Sequence, residues 1–353
     1  MNIKQELSLR QTSPPKSDRE ASAILKGIAI LTVLINHYIS YYTDLKIGGF
    51  ANTVVVIFFF LSGYGIFCSF ENKFGDQLLS GRNILAFYMS RAVRIFPLFW
   101  LALYLQSQIT ATNYPNLSFL GIEAEGHYWF ISAILQCYIF TPILYIFIKR
   151  NKHIAFLSIT FLFGIAVLFT RNNFIGESFL ASFHLMAKPY LEIYFLHTYL
   201  FFLGMCTQSF GLTNRGQNQL KHNPHKWQYI NFTLIILVAF VYIYLEKYVL
   251  NLPLVLGIAL LLASCIYGLR NKISETILPF KVLGFLGRHS FSIYLFHISY
   301  YFLLAGLKLL DNQETNSFIV IVVMFPCFLL ICVLLEKYLR KLSKLNTKLL
   351  KKL

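Results

Sequence analysis

Ten apolar runs, each about as long as a bilayer-crossing helix, succeed one another along the chain. No other feature restricts the fold as much. About 20 mostly apolar residues are needed to span the hydrocarbon as a helix. Runs of that length can cross only as helices, because lipid offers the backbone no hydrogen-bond partner. The runs cover 22–42, 50–70, 84–106, 127–148, 154–169, 189–208, 228–245, 252–269, 287–307 and 317–338. The composition agrees. The chain is 57% hydrophobic and 13% charged, against about 25% charged in a soluble protein. A soluble globule, a disordered chain and a disulfide scaffold are excluded by the same figures. The expected fold class is all-α, a polytopic integral membrane bundle of ten transmembrane helices. The expected organisation is a polar tail over 1–20, a transmembrane domain over 21–340 and a basic tail over 341–353.

Charge placement gives the expected orientation. Lys and Arg outnumber Asp and Glu by 31 to 15, a net charge of +16. With the N-terminus inside, only Lys46, Arg171, Lys188, Lys247 and Lys308 fall in the outer loops. The positive-inside rule therefore predicts both termini in the cytoplasm and a multi-pass protein of the inner (plasma) membrane. The basic residues occupy short loops between apolar runs and form no stripe with exposed aromatics, so no nucleic-acid partner is expected. The N-terminal stretch carries Pro14-Pro15 and reads as a tail rather than a cleavable signal. Cys68, Cys137, Cys206, Cys265, Cys327 and Cys332 show no paired spacing. They read as small hydrophobes, with neither a disulfide framework nor a metal site expected.

Ionisable groups inside such runs are functional candidates by default. Lys26 and His37 stand eleven residues apart in the first run. At 100° per residue they return to within about 20° of one face, about 16 Å apart along the axis. This spacing predicts that both line one cavity. A snorkelling lysine and a histidine bonded between helices would satisfy it equally. Arg91 and Arg94 are one turn apart at the start of the third run. Two guanidinium forks suit a phosphate-bearing ligand, but for the pair taken alone anchoring to anionic lipid is the stronger reading. Further polar and aromatic groups are Ser62 and Tyr64 in the second run, and Trp129 and Gln136 in the fourth. Glu192 and His197 lie in the sixth, with Ser292, Tyr294 and His297 in the ninth.

Taken together and in order, these motifs resemble the type-three membrane acyltransferase family. Lys26 and His37 match its first-helix basic residue and histidine, with Lys26 where arginine is usual. Phe58 to Tyr64 is similar to its phenylalanine-rich Ser-Gly-aromatic motif, with Val56 at about the place of an acidic residue. Arg91 and Arg94 match its arginine-x-x-arginine motif, followed by Pro97 and Trp100. Trp129 to Pro142 and Gly287 to His297 are similar to its two later blocks. The resemblance implies an O-acyltransferase with acyl-CoA, most often acetyl-CoA, as donor substrate and no resident cofactor. The implied acceptor is a hydroxyl of surface polysaccharide, peptidoglycan sugar or glycolipid, and membrane lipid surrounds the protein. It implies that Lys26, Arg91 and Arg94 hold the donor and that His37 is the general base. Ser62, Tyr64, Trp129, Gln136, Ser292, Tyr294 and His297 would then form the substrate pocket. Unperturbed imidazole titrates at about pH 6.5 and can take a hydroxyl proton at neutral pH. Direct transfer and an acyl-histidine relay both fit. A multispan transporter or flippase for sugars or lipid-linked sugars also needs many spans. It predicts inverted repeats and broken helices, neither of which is visible in the sequence, and gives no reason for the paired arginines. A membrane scaffold without catalysis would leave His37 dispensable.

Overall fold

The structure, a computed structural model, describes residues 16–42, 50–73, 80–121, 126–171, 188–210, 262, 278–307 and 314–350. Among these residues the ordered elements are all helical. They are α1 (Lys16–Tyr42), α2 (Phe50–Lys73), α3 (Gly81–Thr110), the short α4 (Asn116–Phe119) and a 3-10 turn (Gly126–Tyr128). There follow α5 (Trp129–Arg150), α6 (Lys152–Arg171), α7 (Lys188–Ser209), α8 (Leu278–Arg288), α9 (Ser290–Gly306) and α10 (Glu314–Leu350). Five stretches among the described residues are long and apolar enough to cross a membrane: Arg19–Tyr42, Val54–Asn72, Gly81–Thr110, Gly126–Arg150 and Ile319–Leu339. The expected runs 228–245 and 252–269 lie outside the described residues, apart from the single residue 262.

Two helices run on past the apolar segments. Helix α1 starts at Lys16, inside the stretch expected as a polar tail, and α10 continues to Leu350 through the expected basic tail. The ninth run is also not one helix. Its first residues close α8, the chain turns at His289, and α9 starts at Ser290. The His289 amide is shared between the carbonyls of Phe285 (3.3 Å) and Leu286 (3.1 Å), and the Ser292 hydroxyl donates to the His289 carbonyl at 2.9 Å. Such tightened bonding is usual at helix ends. No proline marks the bend, which is why apolar length alone reads straight through it.

Glycines decide how closely the helices meet. Helix α8 lies along α1, and α2 lies along α7. A Cβ on Gly287 would run into the Ala23 carbonyl, and one on Gly204 into the Phe60 carbonyl. Small residues let helix backbones approach in this way. Buried aromatics fill the space beyond, with Phe59, Phe60, Phe70, Phe99, Phe201 and Phe202 almost wholly enclosed. Glu71 of α2 accepts hydrogen bonds from Tyr145 and Lys149 of α5, the latter at 2.8 Å. Because Gly204 touches backbone, Gly204→Ala is expected to destabilise by about 1–3 kcal/mol, the range for overpacking. Nothing lies within 4 Å of a Cβ built on Gly65. Gly65→Ala is therefore expected to be neutral, or to stabilise by up to about 1 kcal/mol through helix propensity. Thermal unfolding of the two variants in detergent distinguishes close approach from a general intolerance of substitution.

Candidate active site

A cavity of about 530 Å³ opens between the N-terminal half of α1 and helices α2, α3, α5, α8, α9 and α10. Four cationic side chains line it without an ion pair among the described residues: Arg19, Lys26, Arg91 and Arg94. Arg288 lines it as well, bonded to Glu20 at 2.7 Å. The one carboxylate in the lining is Glu336 of α10, which lies 2.6 Å from the Nδ1 of His289. A cavity with this balance concentrates anions.

Arg91 is the most constrained of these cations. Its guanidinium sits over the rings of Phe87 (5.4 Å) and Tyr138 (5.6 Å). Its Nε is buried with no hydrogen-bond partner. An unmet buried donor costs about 1–3 kcal/mol, more when charged. Arg94, one turn on, is exposed. Both arginines line the cavity, although the two environments differ.

Ser62, Tyr64 and Tyr294 share the same cavity with Lys26, Arg91 and Arg94. The other expected pocket residues are elsewhere. Trp129 is packed edge-on against His197, with ring centroids 5.1 Å apart. Gln136 is half-buried on α5 and does not line the cavity. Ser292 is buried at the α8–α9 turn, with its hydroxyl 3.5 Å from Glu336. Of the sixth run, His197 is buried against Phe59, and the side chain of Glu192 lies outside the described residues.

His37 and His297 form a second centre. The Nδ1 of His37 and the Nε2 of His297 are 2.8 Å apart. The Nδ1 of His297 is 2.6 Å from the Tyr294 carbonyl. The ring of His127 stands edge-on to His297, with centroids 5.3 Å apart, and its Nε2 is buried without a hydrogen-bond partner. The Tyr294 hydroxyl donates to the His127 carbonyl. Neither His37 nor His297 lines the cavity. Of the two residues expected to line one cavity, Lys26 lines this one and His37 does not. The Phe130 and Tyr294 rings, 5.1 Å apart, both line the cavity, and the Tyr294 ring is 5.7 Å from that of His297. Helix periodicity fixes the face a residue occupies, but side chains of other helices decide how far a cavity extends along that face. Sequence reasoning also missed His127, Arg19 and Glu336. The first lies in a turn at the start of an apolar run, and the other two lie at or beyond the ends of runs.

A family model described as an acyltransferase domain matches residues 21–337. No curated protein and no solved structure matches the chain.

Proposed function

Because the chain belongs to the type-three membrane acyltransferase family, we propose that it moves an acyl group from cytosolic acyl-CoA to a hydroxyl across the inner membrane. In the simplest case the group is acetyl, and the hydroxyl belongs to a surface glycan or glycolipid. The observation that carries this reading is the pair of centres back to back. A cationic cavity fits the phosphates of the donor, and Tyr294, which lines it, stands 5.7 Å from His297 of the His37–His297 pair.

The donor phosphates sit on Arg91 and Arg94, where guanidinium forks give charge-assisted bonds, and Lys26 adds charge further in. The pantetheine arm carries the thioester to the aromatic wall. For transfer to occur, Phe130 and Tyr294 part. The Tyr294 hydroxyl then leaves the His127 carbonyl and becomes a donor for the developing oxyanion. His37 takes the proton of the acceptor hydroxyl, the alkoxide attacks the thioester carbonyl, and the tetrahedral intermediate expels the CoA thiolate. The proton held by His37 passes to the thiolate, giving the ester and free CoA.

Membranes containing the protein, supplied with acetyl-CoA labelled in the acetyl group, are expected to transfer label to the surface glycan as an ester released by mild base. Base-labile product absent from membranes with folded wild-type protein would reject the reading, and a transporter would give that result. The wall makes a separate prediction. Phe130→Ala is expected to raise acyl-CoA hydrolysis without acceptor several-fold, read as free thiol, because it joins the thioester end of the cavity to the histidine centre. An unchanged rate would mean that the ring pair is no barrier.

A further inference from the structure

We infer that His297 is a positioning residue that holds His37 in one tautomer, with the proton on Nδ1 and the lone pair on Nε2. The inference rests on the general-base reading of His37 and deepens it.

The hydrogen-bond chain has one consistent direction. The Nδ1 of His297 lies 2.6 Å from the Tyr294 carbonyl oxygen. A carbonyl only accepts, so this nitrogen carries a proton. A neutral imidazole has a single N–H, which leaves the Nε2 of His297 bare. A cationic His297 is disfavoured, since the side chain is fully buried and no carboxylate is among its hydrogen-bond partners in the described residues. The bare Nε2 lies 2.8 Å from the Nδ1 of His37. That short contact requires His37 to donate from Nδ1, and the remaining nitrogen of His37, Nε2, is then unprotonated. The Tyr294 hydroxyl on the same helix is committed to the His127 carbonyl, so it does not compete for His297.

The arrangement has a chemical consequence. An imidazole that carries its only proton on the nitrogen facing the acceptor cannot act as base. Fixing the proton on Nδ1 removes that state. When Nε2 takes the acceptor proton, the Nδ1–H bond to His297 becomes charge-assisted and stronger, which stabilises the imidazolium as it forms. The logic is that of a triad in which the third group orients the base. Here a backbone carbonyl orients an imidazole, which orients a second imidazole.

Three variants and one spectroscopic measurement test this. His297→Met keeps the bulk and leaves only a weak thioether acceptor. His297→Gln offers an amide oxygen near the position of Nε2. With labelled acetyl-CoA, kcat is expected to fall by about 100-fold in His297→Met, within the range general-base catalysis supplies, while KM for acetyl-CoA is unchanged. His297→Gln is expected to recover at least about a tenth of the wild-type kcat through its amide acceptor. Histidine ¹⁵N chemical shifts of the full-length protein, assigned with His37→Ala, are expected to show His37 as the Nδ1–H tautomer. Equal kcat in the Met and Gln variants would overturn the inference, as would a wild-type His37 protonated on Nε2. The tautomer is read on wild-type protein, so it decides the matter even where a variant does not fold. Full transfer by His37→Ala would instead overturn the general-base reading, and the positioning role with it.

Discussion

His37→Ala is expected to lower acyl transfer by about 10²–10⁴-fold, the contribution of a positioned general base, while the protein remains in the membrane and binds acyl-CoA. The separation of centres underlies this expectation. His37 contributes nothing to the lining of the cationic cavity, so its removal leaves the donor site whole. It is half-buried and is bonded to a side chain of α9, so truncation costs one interhelical hydrogen bond rather than a packed core. A purely structural histidine would show a different pattern. Its loss would reduce folded protein and depress donor affinity and turnover together. The measurement is labelled acetyl transfer per mole of folded protein, with KM for acetyl-CoA taken from the same data. Normal product levels, or a rise in KM without a fall in kcat, would remove His37 from the chemistry.

The sequence made the first half of the site legible and hid the second half for physical reasons. Lys26, Arg91 and Arg94 are costly charges in apolar surroundings, and helix periodicity assigns each to a face before any packing is known. They line one cavity, a meeting of two helices that periodicity within each helix does not dictate. The separation of Lys26 from His37 could not be read in this way. Phe130 and Tyr294, aromatics on different helices, line the cavity, and Tyr294 stands beside His297; in a chain with 35 Phe and 22 Tyr neither stands out. Whether two rings close a channel depends on their rotamers and on tertiary distance, not on local pattern. The bend at His289 was similarly hidden, because its signal is a shared amide and a serine side-chain bond rather than a proline. Glu336 was hidden by its place near the end of the last run, although it brings a carboxylate to the lining of the cavity.

The arginine pair carries the second large expectation, and the two residues are not expected to be equivalent. Arg91→Ala with Arg94→Ala should raise KM for acyl-CoA by about 10²-fold or more, since each hydrogen bond to a charged group contributes about 1.5–3 kcal/mol and 1.4 kcal/mol is tenfold. Most of that loss should fall on Arg91. Its guanidinium is held over two aromatic rings and its Nε is buried without a partner. It is therefore already oriented and partly dehydrated before ligand arrives, and less ordering cost is left to meet on binding. Arg94 is exposed. Its interaction with phosphate is screened by water and salt, which limits what an exposed pair contributes. Arg91→Lys should fail to restore affinity, because a lysine replaces the planar fork and its aromatic stacking with a compact point charge. The check is acyl-CoA binding to the purified protein at two ionic strengths. Arg94→Ala should remove most of the salt dependence, and Arg91→Ala most of the affinity. Equal, wholly salt-dependent losses from the two single variants would make the pair an anchor for anionic lipid rather than a donor site.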